Sequence, residues 1–308
     1  MKILLLGKDG QVGWELQRSL CPLGELVALG RHSASNPGQL CGDLADLAGL
    51  AQTVRTVAPD VIVNAAAHTA VDKAESEPEL AQTLNALAPG VLATEAQKLG
   101  AWLVHYSTDY VFDGSGNAPW SEDDITAPLS VYGQSKLEGE RLIQASCQRH
   151  IILRTSWVYG ARGGNFAKTM LRLAQERDSL NVINDQIGAP TSAELLADVA
   201  AHAIRAARTQ AGLAGLYHCV AGGETSWHGY ARHVLAQAQA LGWRLKVGAD
   251  MVGAIPTSSY PTPARRPLNS RLNTVKLRNA FGLALPHWQV QVDRMLQEIT
   301  KSTGNKTS

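Results

Sequence analysis

The start of the chain constrains its fold most. The run Lys2-Ile3-Leu4-Leu5-Leu6 ends directly on Gly7, and Gly10 and Gly13 follow at three-residue spacing. Val12, Leu16 and Leu20 then continue with helical periodicity. A strand, a glycine turn and a helix in that order are the context in which a glycine pattern becomes a dinucleotide site. The glycines let the backbone turn tightly and approach a pyrophosphate, and the helix N-terminus stabilises the phosphate charge. The spacing is G-x-x-G-x-x-G, a departure from the usual G-x-G-x-x-G.

The following segments refine the cofactor. Residues 25–29 read as a second parallel strand, at whose end an NAD site usually carries Asp or Glu for the ribose 2′-hydroxyl. Here the end reads Gly30-Arg31-His32-Ser33. No carboxylate is expected there to repel a 2′-phosphate, and Arg31 can pair with one. The expectation is therefore NADPH, with NADH second. Beyond a loop with Pro37 and Gly38, Asp43 and Leu44 are placed to flank the adenine. Residues 61–67 read as a fourth strand ending in Ala65, Ala66 and Ala67, small enough for the cofactor to approach the backbone.

Tyr132 and Lys136 stand at i and i+4, on one face of a helix. An unperturbed phenol titrates near ~10, and a neighbouring ammonium favours the phenolate. Such a pair can exchange a proton with a carbonyl or alcohol oxygen, and the Thr108 hydroxyl, closing an apolar run, can hold that oxygen. Tyr-x-x-x-Lys alone is common on helix surfaces; its meaning comes from the glycine turn upstream.

At 308 residues the chain can bury one α/β domain and a smaller lobe. A net charge of +1 without a basic stretch implies neither nucleic acid nor anionic membrane as partner. No run has the length of a signal-peptide core or a membrane span, so a cytoplasmic protein is expected. Cys21, Cys41, Cys147 and Cys219 lack C-x-x-C spacing and read as free thiols.

Strands alternate with helical stretches to about residue 156, with helices expected over 44–57 and 78–99 and strands over 101–107 and 151–155. This favours a Rossmann-type, doubly wound parallel sheet, α/β in class. The organisation expected is a dinucleotide-binding domain over 1–156, onto which later segments can pack back, a mainly substrate-binding lobe over 157–300, and a flexible tail over 301–308. Helices are expected over 165–177 and 192–208. Residues 255–270, with four prolines, suggest a wall or lid.

Six segments then carry a resemblance: residues 7–16 (GKDGQVGWEL), 64–72 (NAAAHTAVD), 105–112 (HYSTDYVF), 131–136 (VYGQSK), 154–159 (RTSWVY) and 184–191 (NDQIGAPT). Together they resemble the extended short-chain dehydrogenase/reductases and, within them, the dTDP-4-dehydrorhamnose reductases. That family reduces a nucleotide-linked 4-keto sugar to the rhamnose donor used for bacterial surface polysaccharide. The resemblance implies Tyr132 as proton donor to the C4 oxygen, Lys136 on the nicotinamide ribose, and Thr108 on the reacting oxygen. It implies Asp109 and Trp157 against the sugar, Gly10, Gln11 and Val12 on the pyrophosphate, and Tyr106 along the dinucleotide path.

Family members often carry Asp where this chain has Gly30, which again supports NADPH. Related dehydratases place Glu after Thr-Asp as the base for the C5 proton; here that residue is Tyr110, so simple reduction is the better reading. The resemblance also implies Mg²⁺ held by Glu15, Glu194 and Glu298 at a homodimer contact. Against that, Thr191-Ser192-Ala193-Glu194 has the form of a capping box, and Glu15 and Glu298 suit solvent-facing helix positions. His68, His105 and His218 lack ligand spacing and read as core or loop histidines. Two alternatives stay open: a non-catalytic NADP-binding regulatory subunit, like those of methionine adenosyltransferase, and a reductase of another nucleotide-linked keto-sugar.

Overall fold

The computed structural model describes residues 1–32 and 40–302. Ser33, Pro37 and Gly38 of the loop after the second strand, and residues 303–308 of the expected tail, lie outside the described residues. Six strands form one sheet: β1 (Lys2–Leu6), β2 (Glu25–Leu29), β3 (Val61–Asn64), β4 (Trp102–Thr108), β5 (His150–Thr155) and β6 (Gly215–His218). Their order is β6-β5-β4-β3-β1-β2, with every pairing parallel. The strands read as nearly unbroken apolar runs because both faces are covered, as in other parallel sheets. Successive residues alternate between the two layers. Ile3 and Leu5 join one core cluster, Leu4 and Leu6 the other.

The helices include α1 (Gln11–Leu20), α2 (Leu47–Val57), α3 (Val71–Ser76), α4 (Ala88–Leu99), α5 (Val131–Ser146), α6 (Phe166–Glu176), α7 (Ala193–Ala207), α8 (Trp227–Ala240) and α9 (Trp288–Ser302); α1, α2, α4, α5 and α7 flank the sheet, and α6, α8 and α9 pack together beside it. Residues 61–67 were expected as a fourth strand. The structure makes them the third, ending at Asn64, because among the described residues no strand intervenes and β3 pairs directly with β1. The stretch 78–99 is helical but not uniform: Pro78–Gln82, a π turn over Thr83–Leu87, then α4. Asn85 in the π turn is fully buried and bonds the His68 backbone N–H, the His68 carbonyl and Ser135 Oγ at 2.8, 3.1 and 3.1 Å. It thereby ties the chain after β3 to α5.

The second half of the chain does not stay apart from the sheet. β6 pairs with β5, and α7 packs on α1 beneath the same sheet face. Residues 255–270, expected as a wall, reach across to α3: Arg266 lies 2.7 Å from Asp72 and the Ala264 N–H donates to the same carboxylate.

The sheet and α1 meet through two glycines. Gly7 has a φ of +87°, and a Cβ on Gly13 would fall 1.9 Å from the Gly7 carbonyl oxygen. Gly13→Ala must push α1 away from β1, which overpacking costs put at about 1–3 kcal/mol. The urea midpoint should fall accordingly, with the slope unchanged; an unmoved midpoint would mean that α1 slides without cost.

Candidate active site

The carboxyl ends of β1, β3, β4 and β5 open into a cleft of about 700 Å³. It spans the point between β1 and β3 where strand order changes direction, the usual ligand position in open α/β sheets. Of the residues singled out from the sequence, Gly7, Gly10, Gln11, Val12, Arg31, Asp43, Leu44, Ala65, Ala66, Ala67, Tyr106, Thr108, Asp109, Tyr132, Lys136 and Trp157 all line it. Gly13 does not; it packs beneath Gly7 and acts on the turn alone.

Helix α1 begins at the cleft on Gly10, with no side chain capping it and no acidic residue in its first turn. Its first amides therefore face the cleft without a competing carboxylate, which fits a dinucleotide pyrophosphate. Arg31 lines the cleft beyond the end of β2, as expected. The expectation that no carboxylate stands there is corrected: Asp9 of the glycine turn places its Oδ2 against Gly30.

Ser130 caps α5 by accepting from the Gly133 N–H at 3.2 Å, which starts the helix just before Tyr132. The half-buried Tyr132 phenol is pushed up to about 12 by burial, against the pull of a hydrogen bond to Thr108. The sequence led us to expect a phenol lowered by the Lys136 ammonium. Burial dominates instead, because Lys136 is engaged elsewhere: its Nζ donates to the Tyr106 carbonyl at 2.5 Å and lies 3.1 Å from His105 Nε2.

His105, read from the sequence as a core or loop histidine, is thus part of the site. Strand register sets Asn64 opposite His105, and Asn64 Nδ2 lies 3.1 Å from His105 Nδ1. Asn64 Oδ1 already accepts the Ala66 N–H at 3.2 Å, so Nδ2 donates and Nδ1 accepts. That tautomer, assigned from the network, puts the imidazole proton on Nε2 and aims it at Lys136. The neutral amine can accept that proton, a form that burial brings within reach by lowering Lys136 to about 8; below that the ammonium rests on the Tyr106 carbonyl. Burial likewise lowers His105 well below its ordinary value, so it stays neutral.

The Thr108 hydroxyl donates to Asp109 Oδ1 and accepts the Tyr110 N–H, both at 3.2 Å. Burial raises the Asp109 carboxyl to about 6, opposed by the Ser270 and Thr108 hydroxyls. Tyr110 stands edge-on to Tyr132, with ring centroids 5.5 Å apart, and burial raises its phenol strongly. Trp157 forms the opposite wall. It stacks on Trp227 with centroids 3.8 Å apart, and Trp227 Nε1 donates to Gln186 Oε1 at 3.0 Å. Nothing local in the sequence marks Trp227, which arrives from α8.

The three glutamates expected to hold Mg²⁺ lie away from this cleft, on α1, α7 and α9. Glu194 and Glu298 are near enough to raise the Glu15 pKa, after the larger effect of its burial. Yet among the described residues no group of three ligand side chains forms a metal site. Arg18 sits 3.5 Å from Glu15 and Arg294 sits 3.3 Å from Glu194, so cations already answer two of the three. Within one chain these residues do not fit a metal ion. Nor is Thr191 the cap of α7; Ser192 is, accepting the Leu195 N–H at 3.0 Å.

Comparison with known proteins decides the family. The family model described as RmlD substrate binding domain matches residues 1–301. The dTDP-4-dehydrorhamnose reductase of Shigella flexneri is 59% identical over 303 residues, which cover 98% of this chain and 99% of that protein. The chain belongs to the dTDP-4-dehydrorhamnose reductase family. A crystal structure of a family member from Clostridium acetobutylicum superposes with a TM-score of 0.87 at 34% identity, covering 97% of this chain and 99% of that one. Another from Bacillus anthracis, in complex with NADP, gives 0.84 at 32% identity over 96% and 99%.

The titrations of Asp109 and Lys136 frame a pH test. Asp109 carries its charge above about pH 6 and Lys136 keeps its ammonium below about pH 8. If the sugar needs the carboxylate and the cofactor ribose needs the ammonium, kcat/KM follows a bell with limbs near those values, since it reports the free enzyme. Asp109→Asn should remove the acid limb. A flat profile from pH 5 to 9 would separate both groups from the reaction.

Proposed function

We propose that this chain reduces the C4 keto group of dTDP-4-dehydro-β-L-rhamnose to give dTDP-β-L-rhamnose, with NADPH as electron donor. The observation that carries the reading is the convergence of Thr108, Tyr132 and Lys136 on the cleft reached by the glycine turn. Family membership supports the sugar substrate, and the NADP complex of the Bacillus anthracis relative supports the cofactor. When bound, the reduced nicotinamide supplies a hydride to C4.

The chain's own residues do the rest. Tyr132, protonated throughout the neutral range, gives its phenolic proton to the C4 oxygen as negative charge builds there. Thr108 Oγ accepts the Tyr110 N–H and turns its own hydrogen from Asp109 to that oxygen. Asp109 is then free to accept from a sugar hydroxyl. Lys136 holds the nicotinamide ribose, and the Gln11 and Val12 amides receive the pyrophosphate. Arg31 meets a 2′-phosphate, while Asp43 and Leu44 flank the adenine and Ala65 to Ala67 and Tyr106 line the path. Trp157 packs on the sugar. Tyr110, held neutral by burial, offers no base for the C5 proton, so the reaction ends at reduction.

The product is a rhamnosyl donor for surface polysaccharide such as O antigen. Four free cysteines suit a reducing compartment, and we place the reaction in the cytoplasm. Among the described residues no helix is long and apolar enough to cross a membrane. Every group named in these steps comes from one chain.

The test is loss of reduced-nicotinamide absorbance on mixing protein, NADPH and dTDP-4-dehydro-β-L-rhamnose. Tyr132→Phe should cut turnover by ~10² or more, the usual scale for a lost general acid, with NADPH binding nearly intact. Turnover equal to the parent would remove Tyr132 from the mechanism.

A further inference from the structure

Asp9 lies between Gly7 and Gly10 and is exposed, whereas Gly30, at the end of β2, is buried. A Cβ on Gly30 would stand 1.9 Å from Asp9 Oδ2 and 3.1 Å from Asp9 Cγ. The Asp9 carboxylate therefore fills the volume into which a side chain at the strand end would project. The two segments are fixed together, since the Gly7 and Lys8 N–H groups both donate to the Leu29 carbonyl, at 2.9 and 3.2 Å. Asp9, Gly30 and Arg31 all line the cleft.

We propose that Asp9, carried by the glycine turn, takes the ribose-reading role that an acid at the end of β2 usually has. The inference rests on the reading of the cleft as a nicotinamide dinucleotide site. A carboxylate accepts a hydrogen bond from the 2′-hydroxyl of NADH, a charge-assisted contact. The same carboxylate repels a 2′-phosphate, and Arg31 on the neighbouring residue offsets that repulsion. The absence of a side chain at residue 30 is what makes the arrangement possible. Asp9 and any larger residue 30 compete for one volume, so removing Asp9 opens room for a carboxylate from the strand end itself.

The test is direct equilibrium titration of the protein with NADH and with NADPH, followed by quenching of tryptophan fluorescence without sugar substrate. The parent should bind both. Asp9→Asn should weaken NADH by about tenfold or more, the scale of a hydrogen bond to a charged group, and leave NADPH equal or tighter. Arg31→Ala should do the reverse. Asp9→Ala combined with Gly30→Asp should restore NADH binding, because the carboxylate returns from the other segment. The retained NADPH affinity of Asp9→Asn serves as the check that the turn still folds. Equal losses for both dinucleotides, or no change in their ratio, would overturn the assignment of Asp9. A parent that binds neither dinucleotide would overturn the cofactor reading beneath it.

Discussion

A lysine with 2% exposure governs the arrangement of the site. Burying an ammonium is costly unless its hydrogens find partners, and the Tyr106 carbonyl accepts one of them. Tyr132, Lys136 and Glu140 follow one another at four-residue spacing on the inner face of α5. Glu140, itself buried, makes a two-pronged contact with Arg154 on β5 at 2.9 and 2.7 Å. Arg154 lies over the Phe112 ring, 5.0 Å from its centroid. A buried ion pair of this kind adds little net stability, but an unpaired member would be strongly penalised. The stripe therefore fixes where α5 sits along β5, and with it the place of the Tyr132 phenol over the carboxyl end of the sheet.

The parts legible in the sequence were those set by local spacing. The strand, glycine turn and helix at the start, and the pair Tyr132 and Lys136, depend on residues within a turn or two of one another. Their placement in one cleft follows from the parallel sheet. What was not legible depended on register or on distant segments. His105 touches Lys136 only because β3 sets Asn64 opposite it, and a lone histidine in a strand carries no sign of that. β6 joins the sheet from beyond residue 210, and its four residues lack a period long enough to separate them from a loop. Two electrostatic expectations failed for a shared reason. The Tyr132 shift and the 2′ end of the cofactor site were judged from neighbours in sequence, whereas burial and a facing segment decide both.

The sugar-side wall shows how much the fold spends on one orientation. Trp157 has a φ of +50°, uncommon for a residue with a bulky side chain. Such backbone strain is of order 1–3 kcal/mol and persists only where the surroundings over-determine it. Here they do. Trp227 stacks on one side, and a Cβ on Gly188 would fall 2.9 Å from Trp157 Cε2 on another. The Thr191 N–H holds the Trp157 carbonyl at 3.2 Å. The indole is kept beside the reacting corner of the cleft by two segments, around 188–191 and at Trp227, that are distant in sequence.

The two ends of the cleft consequently work by different physics. At the sugar end burial sets the protonation states. Tyr110 and Tyr132 are both raised by desolvation, so each phenol there is neutral and able to donate, and a proton donor stays loaded without a base beside it. At the adenosine end Asp9, Arg31 and His32 are exposed, and charges in water act mainly through their distance from the ligand's own charge. A buried acid must come from one position with its partners arranged around it. An exposed one can come from any segment whose backbone reaches the spot. That difference explains why Thr108, Tyr132 and Lys136 could be read from their places in the sequence, while the carboxylate beside Gly30 stood on another loop.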